Sequence, residues 1–357
     1  MSGVGGDTVR AVRRVVSDGV GEVFLDRAWP RPVAGPGEAV VRPVLLTVGP
    51  SDVAVARGEI DHRGVLGSQF VGVVESVAEG ESEDVVGARV IADPAVIPSG
   101  SVLARQGLGR HDPDREILGV RGRDGCFADR CRVPIANLVR VPDGVGDEDA
   151  VLWKPLASAL HASRVVPLER RNYVTVIGDG VGGILCALIM AELNQTVRLL
   201  GWSKDLSGVC ERLGVRYRPA AEVGRREDQD VVIDCVGSRS SVDAAMAMAR
   251  PRGSVVIERE PTPLPGVGSE DGSRVGPRDA SGSDGWCDLG PMVLKELMLQ
   301  GVRDGPPAEA MDRLSRGGLE LSKLAARPFG RRFGFEEAIA ALRSAGEPDV
   351  LRVVIEL

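Results

Sequence analysis

Residues 173–204 carry the residue types whose spacing points most directly to chemistry. Gly178, Gly180 and Gly183 fall at G-x-G-x-x-G spacing, after the apolar run 173–177 and at the start of a helical stretch, 181–193. That chemistry is the binding of a pyrophosphate. The first glycine allows a sharp turn, the second leaves room for phosphate against the backbone, and the third lets the helix approach the strand. Amides at the helix N-terminus would face the phosphates, with the helix dipole adding to the attraction. Glycine is plentiful here, 46 of 357 residues, so the spacing alone is a weak signal. The strand–turn–helix–strand context gives it weight, against the alternative of a glycine-rich turn with no ligand. The returning strand, 196–200, ends at Gly201, Trp202, Ser203 and Lys204. A carboxylate at such a tip would hold the ribose hydroxyls of NAD. None stands among these four residues, and Lys204 can pair with a 2′-phosphate. The expectation is therefore NADP, with NAD possible. Gly178, Gly180, Gly183, Gly201, Ser203 and Lys204 are the cofactor-binding candidates. The plainer reading of Lys204 is a solvated surface lysine.

The elements that must hold this turn come from both sides of it. Residues 9–92 read as short strands at 9–16, 22–25, 38–47, 70–77 and 88–92, broken by clusters such as Pro32–Gly37 and Ala78-Glu79-Gly80; regular strands of this kind suggest a barrel. A polar excursion, 93–123, is followed by strands at 127–133 and 138–141. Helical spacing over 147–165 leads into the nucleotide-binding half, where 230–236 and 254–258 are parallel strands joined by a helix over 242–249. Residues 261–290 are rich in Gly, Ser, Asp and Pro and read as a long surface loop. Residues 294–302 read as a strand. Pro306 and Pro307 open a helix that Gly317 and Gly318 close. Phe335, Ala338, Ile339 and Leu342 mark the buried face of a last helix, and 350–355 is the final strand. No internal repeat is present.

Composition narrows the function classes. A net charge of −7 argues against nucleic acid, and aromatics at 3% offer no stacking platform. No apolar run reaches the ~20 residues of a membrane span, and the first residues lack the shape of a signal peptide. Six scattered cysteines without C-x-x-C pairs fit reduced thiols in a cytoplasm.

The order of segments resembles the medium-chain dehydrogenase/reductase superfamily, the zinc-type alcohol dehydrogenases in particular. Six segments carry it: V-G-P-S-D-V (48–53), V-L-G-S-Q-F-V-G-V-V (65–74), R-D-G-C-F-A-D-R-C-R-V-P (123–134), K-P-L-A-S-A-L-H-A (154–162), V-I-G-D-G-V-G-G (176–183) and the chain's end. The resemblance implies an α/β protein: an N-terminal GroES-like β-barrel domain plus a Rossmann doubly wound parallel-sheet domain, with the active site between them. The implied domains are 1–148, 149–305 and a return of 306–357 to the first. It also implies a homodimer paired through the strand at 294–302.

The departures from that pattern concern zinc. The resemblance puts a cysteine ligand where this chain has Gly49, a G-H-E motif where it has Gly67-Ser68-Gln69, and a glutamate where it has Lys154. Zinc takes thiolate, imidazole or carboxylate, so no catalytic zinc is expected. The excursion that holds four cysteines for a second zinc in the family has none here. Cys126 and Cys131 read as reduced thiols near a strand. His161 reads as structural or cleft-lining, and His62 and His111 as surface residues. What remains for catalysis is Lys154 as an electrostatic polariser or proton donor, Ser51 as the matching relay hydroxyl, and Ser68 and Gln69 as hydrogen-bonding groups for a substrate oxygen. The plainer alternative pairs Lys154 with Asp52 and fills an emptied site. Tyr173 and Tyr217 sit at strand edges in the Rossmann half, which weakens a quinone-reductase reading that leans on a tyrosine. Two function classes follow: a metal-free NAD(P)-dependent oxidoreductase acting on a small carbonyl, alcohol or activated alkene, or an inactive cofactor-binding sensor or scaffold.

Overall fold

The computed structural model describes residues 7–17, 20–166, 173–193, 196–203, 206–224, 226–259, 288–319, 321, 330–347 and 350–357. In chain order the strands and main helices begin with β1 (Thr8–Ser17), β2 (Val20–Pro30), β3 (Glu38–Thr47), α1 (Pro50–Ala56), β4 (Gly64–Val65), β5 (Phe70–Val77) and β6 (Arg89–Ala92). Then come β7 (Ala95–Val96), β8 (Glu116–Leu118), β9 (Gly122–Arg123), β10 (Cys131–Pro134), β11 (Leu138–Arg140), α2 (Trp153–Val165), β12 (Tyr173–Ile177), α3 (Val181–Glu192), β13 (Thr196–Gly201) and β14 (Tyr217–Pro219). The last are β15 (Gln229–Asp234), α4 (Arg239–Met248), β16 (Ala249–Glu258), α5 (Gly290–Leu294), β17 (Met298–Val302), α6 (Pro307–Ser315), β18 (Gly330–Gly334), α7 (Ala338–Ser344) and β19 (Arg352–Glu356). The chain divides into two compact units, Met1–Trp153 with Met311–Leu357, and Lys154–Ala310.

The first unit is built on a sheet of order β11-β6-β5-β3-β19-β18, with β10 also paired to β3 and a separate sheet β2-β1-β4. The C-terminal β19 enters this sheet antiparallel to β3, so the end of the chain completes a sheet begun by residues 38–47. Val41, Leu46, Phe70, Val90, Phe127, Val133, Leu342, Val353 and Ile355 meet in one core.

The second unit holds a parallel sheet of order β14-β13-β12-β15-β16-β17. Counted within the unit that is 3-2-1-4-5-6, the order in which ligands bind at the carboxyl ends of the strands where the order reverses. The reversal lies between β12 and β15. Val174, Thr175, Val176 and Ile177 of β12 are all buried, as a strand covered on both faces must be. In α3 every residue from Gly183 to Met190 is buried, which matches its nearly uninterrupted apolar sequence.

Two readings change. Residues 294–302 are not one strand: α5 occupies Gly290–Leu294, and β17 starts only at Met298. Glu296 takes a left-handed φ of 51°, which breaks the extension. Lys295 beside it donates from Nζ to the carbonyls of Met246, Ala247 and Ala249 at 3.0–3.2 Å, closing the C-terminal end of α4. His62 is buried, 3% exposed, rather than on the surface. Its Nε2 lies 3.0 Å from the Val65 carbonyl, and burial lowers its pKa. The expected loop at 261–290, apart from its last residues, lies outside the described residues. Among the described residues no helix is long and apolar enough to cross a membrane.

Candidate functional site

In the second unit the glycine turn leaves β12 and enters α3 at the reversal point. Gly178 has a φ of 112°, a conformation that favours glycine, and its amide donates to the Leu200 carbonyl at 2.9 Å. A Cβ on Gly183 would stand 1.7 Å from the Gly178 carbonyl oxygen, so only glycine lets the first turn of α3 close on β12. Gly180 caps α3, and a Cβ there would meet nothing within 4 Å. The open space over the second glycine and the close approach at the third are what a pyrophosphate needs from such a turn. The amides of this helix start are the chain's means of holding it.

Asp179, inside the same turn, reaches the tip of β13. Its Oδ2 accepts hydrogen bonds from the amides of Trp202 at 2.7 Å and Ser203 at 2.9 Å. A Cβ on Gly201 would lie 2.2 Å from that oxygen, so Gly201 makes room for the carboxylate. The Tyr217 hydroxyl lies 3.0 Å from the same Oδ2 and 2.7 Å from the Ser203 carbonyl, its single proton shared between two acceptors. Burial, with the Asp179 charge added, pushes that phenol's pKa up. The tip residues themselves carry no carboxylate, as expected, but the space beside them is occupied by one from the turn. Sequence reading misses it because the partners are far apart in the chain. Ser203 thus contributes its amide to an internal bond, and Lys204 lies outside the described residues. Trp202 is exposed at the tip.

In the first unit Ser51 is buried on α1. Next to it, the Asp52 carboxylate accepts the Gly49 amide at 2.8 Å, which fixes the start of that helix. Ser68 and Gln69 are each 1% exposed. They follow Gly67, whose φ is 98° and whose Cβ would fall 2.1 Å from the Phe127 ring. The Ser68 hydroxyl is buried without a hydrogen-bond partner among the described residues. The Gln69 side-chain oxygen accepts from Arg352 Nη2 at 3.0 Å, both groups buried. This arrangement does not fit zinc: Gly49 offers no donor atom, and the amide of Gln69 faces a guanidinium cation rather than a metal. Cys126 and Cys131 are free and buried. Burial pushes the Cys131 thiol up to about 12, and burial, with Cys131 and Asp52 adding to it, also pushes up that of Cys126, so neither is a reactive thiolate. Lys154, of the second unit, is buried at the start of α2. His161, half-buried on α2, lies beside Gly305, whose Cβ would stand 3.2 Å from the histidine Cβ.

Residues 35–143 match the family model of the alcohol dehydrogenase GroES-like domain. The chain is 26% identical over 332 residues to an L-threonine 3-dehydrogenase of Chelativorans sp. (strain BNC1), covering 90% of this chain and 92% of that protein. It is 27% identical over 204 residues to the starvation-sensing protein RspB of Escherichia coli K12, covering 56% and 57% of the two. Among solved structures, the RspB alcohol dehydrogenase of E. coli CFT073, complexed with NADH, superposes with a TM-score of 0.82 at 20% identity, covering 99% of this chain and all of that one. A dehydrogenase of Sinorhizobium meliloti 1021 described as zinc-binding, bound to NADP, gives 0.81 at 21% identity over 98% of this chain and all of that one.

Proposed function

This chain belongs to the medium-chain dehydrogenase/reductase superfamily, with a GroES-like domain and a Rossmann domain, and on that premise we propose that it is an oxidoreductase whose reaction uses no catalytic metal. In this reading it moves a hydride between a nicotinamide dinucleotide and a small carbonyl, alcohol or activated alkene. The observation that carries the reading is the glycine turn, closed at Gly183 and open at Gly180 at the reversal point of the parallel sheet. The bound dinucleotide supplies or accepts the hydride.

The chain's own residues do the rest. The N-terminus of α3 binds and orients the phosphates. When a carbonyl is reduced, its π electron pair moves to oxygen, and a proton must follow. Lys154, buried and in the place the resemblance gives to a metal ligand, is proposed to polarise that oxygen and donate the proton, with Ser51 as relay and Ser68 as a further hydrogen-bond donor. Ser68 suits that role because its buried hydroxyl has no partner among the described residues. Gln69, which accepts from Arg352, acts as a positioning residue.

Two features bear on the form of the cofactor. Lys204 would favour NADP. The Asp179 carboxylate at the β13 tip opposes a 2′-phosphate and leaves NAD as the preferred form.

The test is calorimetry with NADH and NADPH, followed by turnover with aldehydes, quinones and enones on wild type and Lys154→Ala. Binding, with turnover that falls about 10²-fold or more in the variant, supports the reading. Binding with no turnover in either protein favours the second one, a cofactor-binding sensor or scaffold, to which the engagement of Gln69 by Arg352 lends some weight. No uptake of either nucleotide overturns both.

A further inference from the structure

Three potential metal ligands that are remote in sequence converge in the second unit. Cys186 lies on α3, Cys235 directly follows β15, and Glu258 ends β16. One ligand atom from each, two sulfurs and a carboxylate oxygen, lie within 4.8 Å of one another. Cys186 and Glu258 are buried, at 1% and 7% exposure, and Cys235 is half-buried. We propose that Cys186, Cys235 and Glu258 form a binding site for a single thiophilic divalent cation of the zinc class, distinct from the position where the family holds its catalytic metal.

The geometry fits the ion. Metal–sulfur bonds of about 2.3 Å and metal–oxygen bonds of about 2.1 Å place tetrahedral ligand atoms roughly 3.5–3.8 Å apart, inside the observed limit. Thiolates select zinc and cadmium over magnesium and calcium. Three protein ligands leave a fourth position for water. The surroundings supply a fixed second layer. Asp234, beside Cys235, has its carboxylate held by the amides of Val236 and Gly237 and the Ser241 hydroxyl at 2.8–3.2 Å, and so anchors the backbone that carries the ligand. Glu258 also approaches the glycine turn: a Cβ on Gly182 would stand 3.2 Å from its Oε2. A cation here would offset a carboxylate that otherwise faces the phosphate-binding turn. At neutral pH both thiols start protonated. Binding therefore breaks two S–H bonds, forms two metal–sulfur bonds and releases two protons to the buffer. No electron transfer is involved, and the site does not depend on the cofactor reading.

The experiment uses the full chain, reduced and stripped with a chelator. Cadmium is titrated while the ultraviolet thiolate-to-metal band is followed, and zinc is titrated by calorimetry in buffers of different ionisation enthalpy. The expected result is one ion per chain with about two protons released, a band lost in Cys186→Ser and Cys235→Ser, and affinity reduced about 10–100-fold in Glu258→Gln. The band should persist in Cys126→Ser. A site that takes up no zinc at micromolar concentration, or a band unchanged in Cys186→Ser, overturns the proposal. Should the serine variants fail to fold, alkylation of the wild type in mild urea decides. Zinc must protect Cys186 and Cys235 while leaving Cys210 as reactive as before, and equal labelling with and without zinc overturns the site.

Discussion

Asp179 occupies a variable position of the glycine fingerprint, yet its carboxylate bonds to the next strand's tip. Two amides and a phenol converge on one of its oxygens, and the absent side chain of Gly201 provides the space. If a dinucleotide binds as proposed above, a carboxylate there would repel the 2′-phosphate of NADP and accept the ribose hydroxyls of NAD. Wild type is expected to bind NADH at least about tenfold more tightly than NADPH, roughly 1.4 kcal/mol. Asp179→Asn should narrow that gap, mainly by improving NADPH. Calorimetry on both proteins checks it, and an unchanged ratio would remove Asp179 from the account. Gln69 shows the same limit of local reading. Its position in a G-S-Q segment reads as a substrate contact, whereas its oxygen is engaged by Arg352 from the last strand. Gln69→Leu removes the acceptor that Nη2 of that buried guanidinium reaches, so the variant should lose about 1–3 kcal/mol, seen as a lower urea midpoint. Gly178, Gly180 and Gly183 were readable because their reason for being glycine is local: a turn, an open space and a close approach.

Elements show where periodicity suffices and where it fails. β12, α3 and β13 have the residue patterns of a buried strand, a buried helix and a returning strand, and they fold so. The third glycine is what lets them close, and Gly183→Ala must push α3 away from β12. Overpacking of this kind costs about 1–3 kcal/mol or more, and nucleotide affinity should fall with it; a variant as stable as wild type would contradict the geometry. The 294–302 segment looks like one strand in sequence because apolar residues resume past a break that Lys295 and Glu296 impose for reasons lying on α4. β1 offers a test by pH. Burial opposes ionisation of Asp129, but side-chain and backbone bonds from Arg10 on β1 prevail and hold its carboxyl below the usual range. A depressed folded pKa means the stabilisation is full above the unfolded value of about 3.9 and is lost as pH falls through the folded one. Asp129→Asn should therefore be less stable than wild type at pH 7, with the gap closing below about pH 4. Urea midpoints across pH 3–7 measure this, and a constant gap refutes it.

At the scale of the whole molecule, β17 is the outer strand of the parallel sheet. On and just before it stand exposed apolar side chains, with Val293 at 75% and Leu294 at 86% exposure, and Leu289 and Met298 also exposed. Apolar residues clustered at a sheet edge invite pairing with a second copy, in keeping with the homodimer the resemblance implies. Sedimentation at micromolar concentration should give a dimer, and Leu294→Glu should shift it toward monomer; a wild-type monomer would count against pairing. The amino-acid sequence by itself determined the fold class, the strand-turn-helix of the nucleotide turn and the absence of zinc-type ligands at Gly49, Ser68, Gln69 and Lys154. Those depend on residue type and short-range spacing, which the chain displays directly. Only the tertiary structure decided which side chains meet: Asp179 with the tip of β13, Arg352 with Gln69, and Cys186 with Cys235 and Glu258. Such contacts join segments tens to hundreds of residues apart, and their geometry is set by how strands align and pack, which no local pattern records.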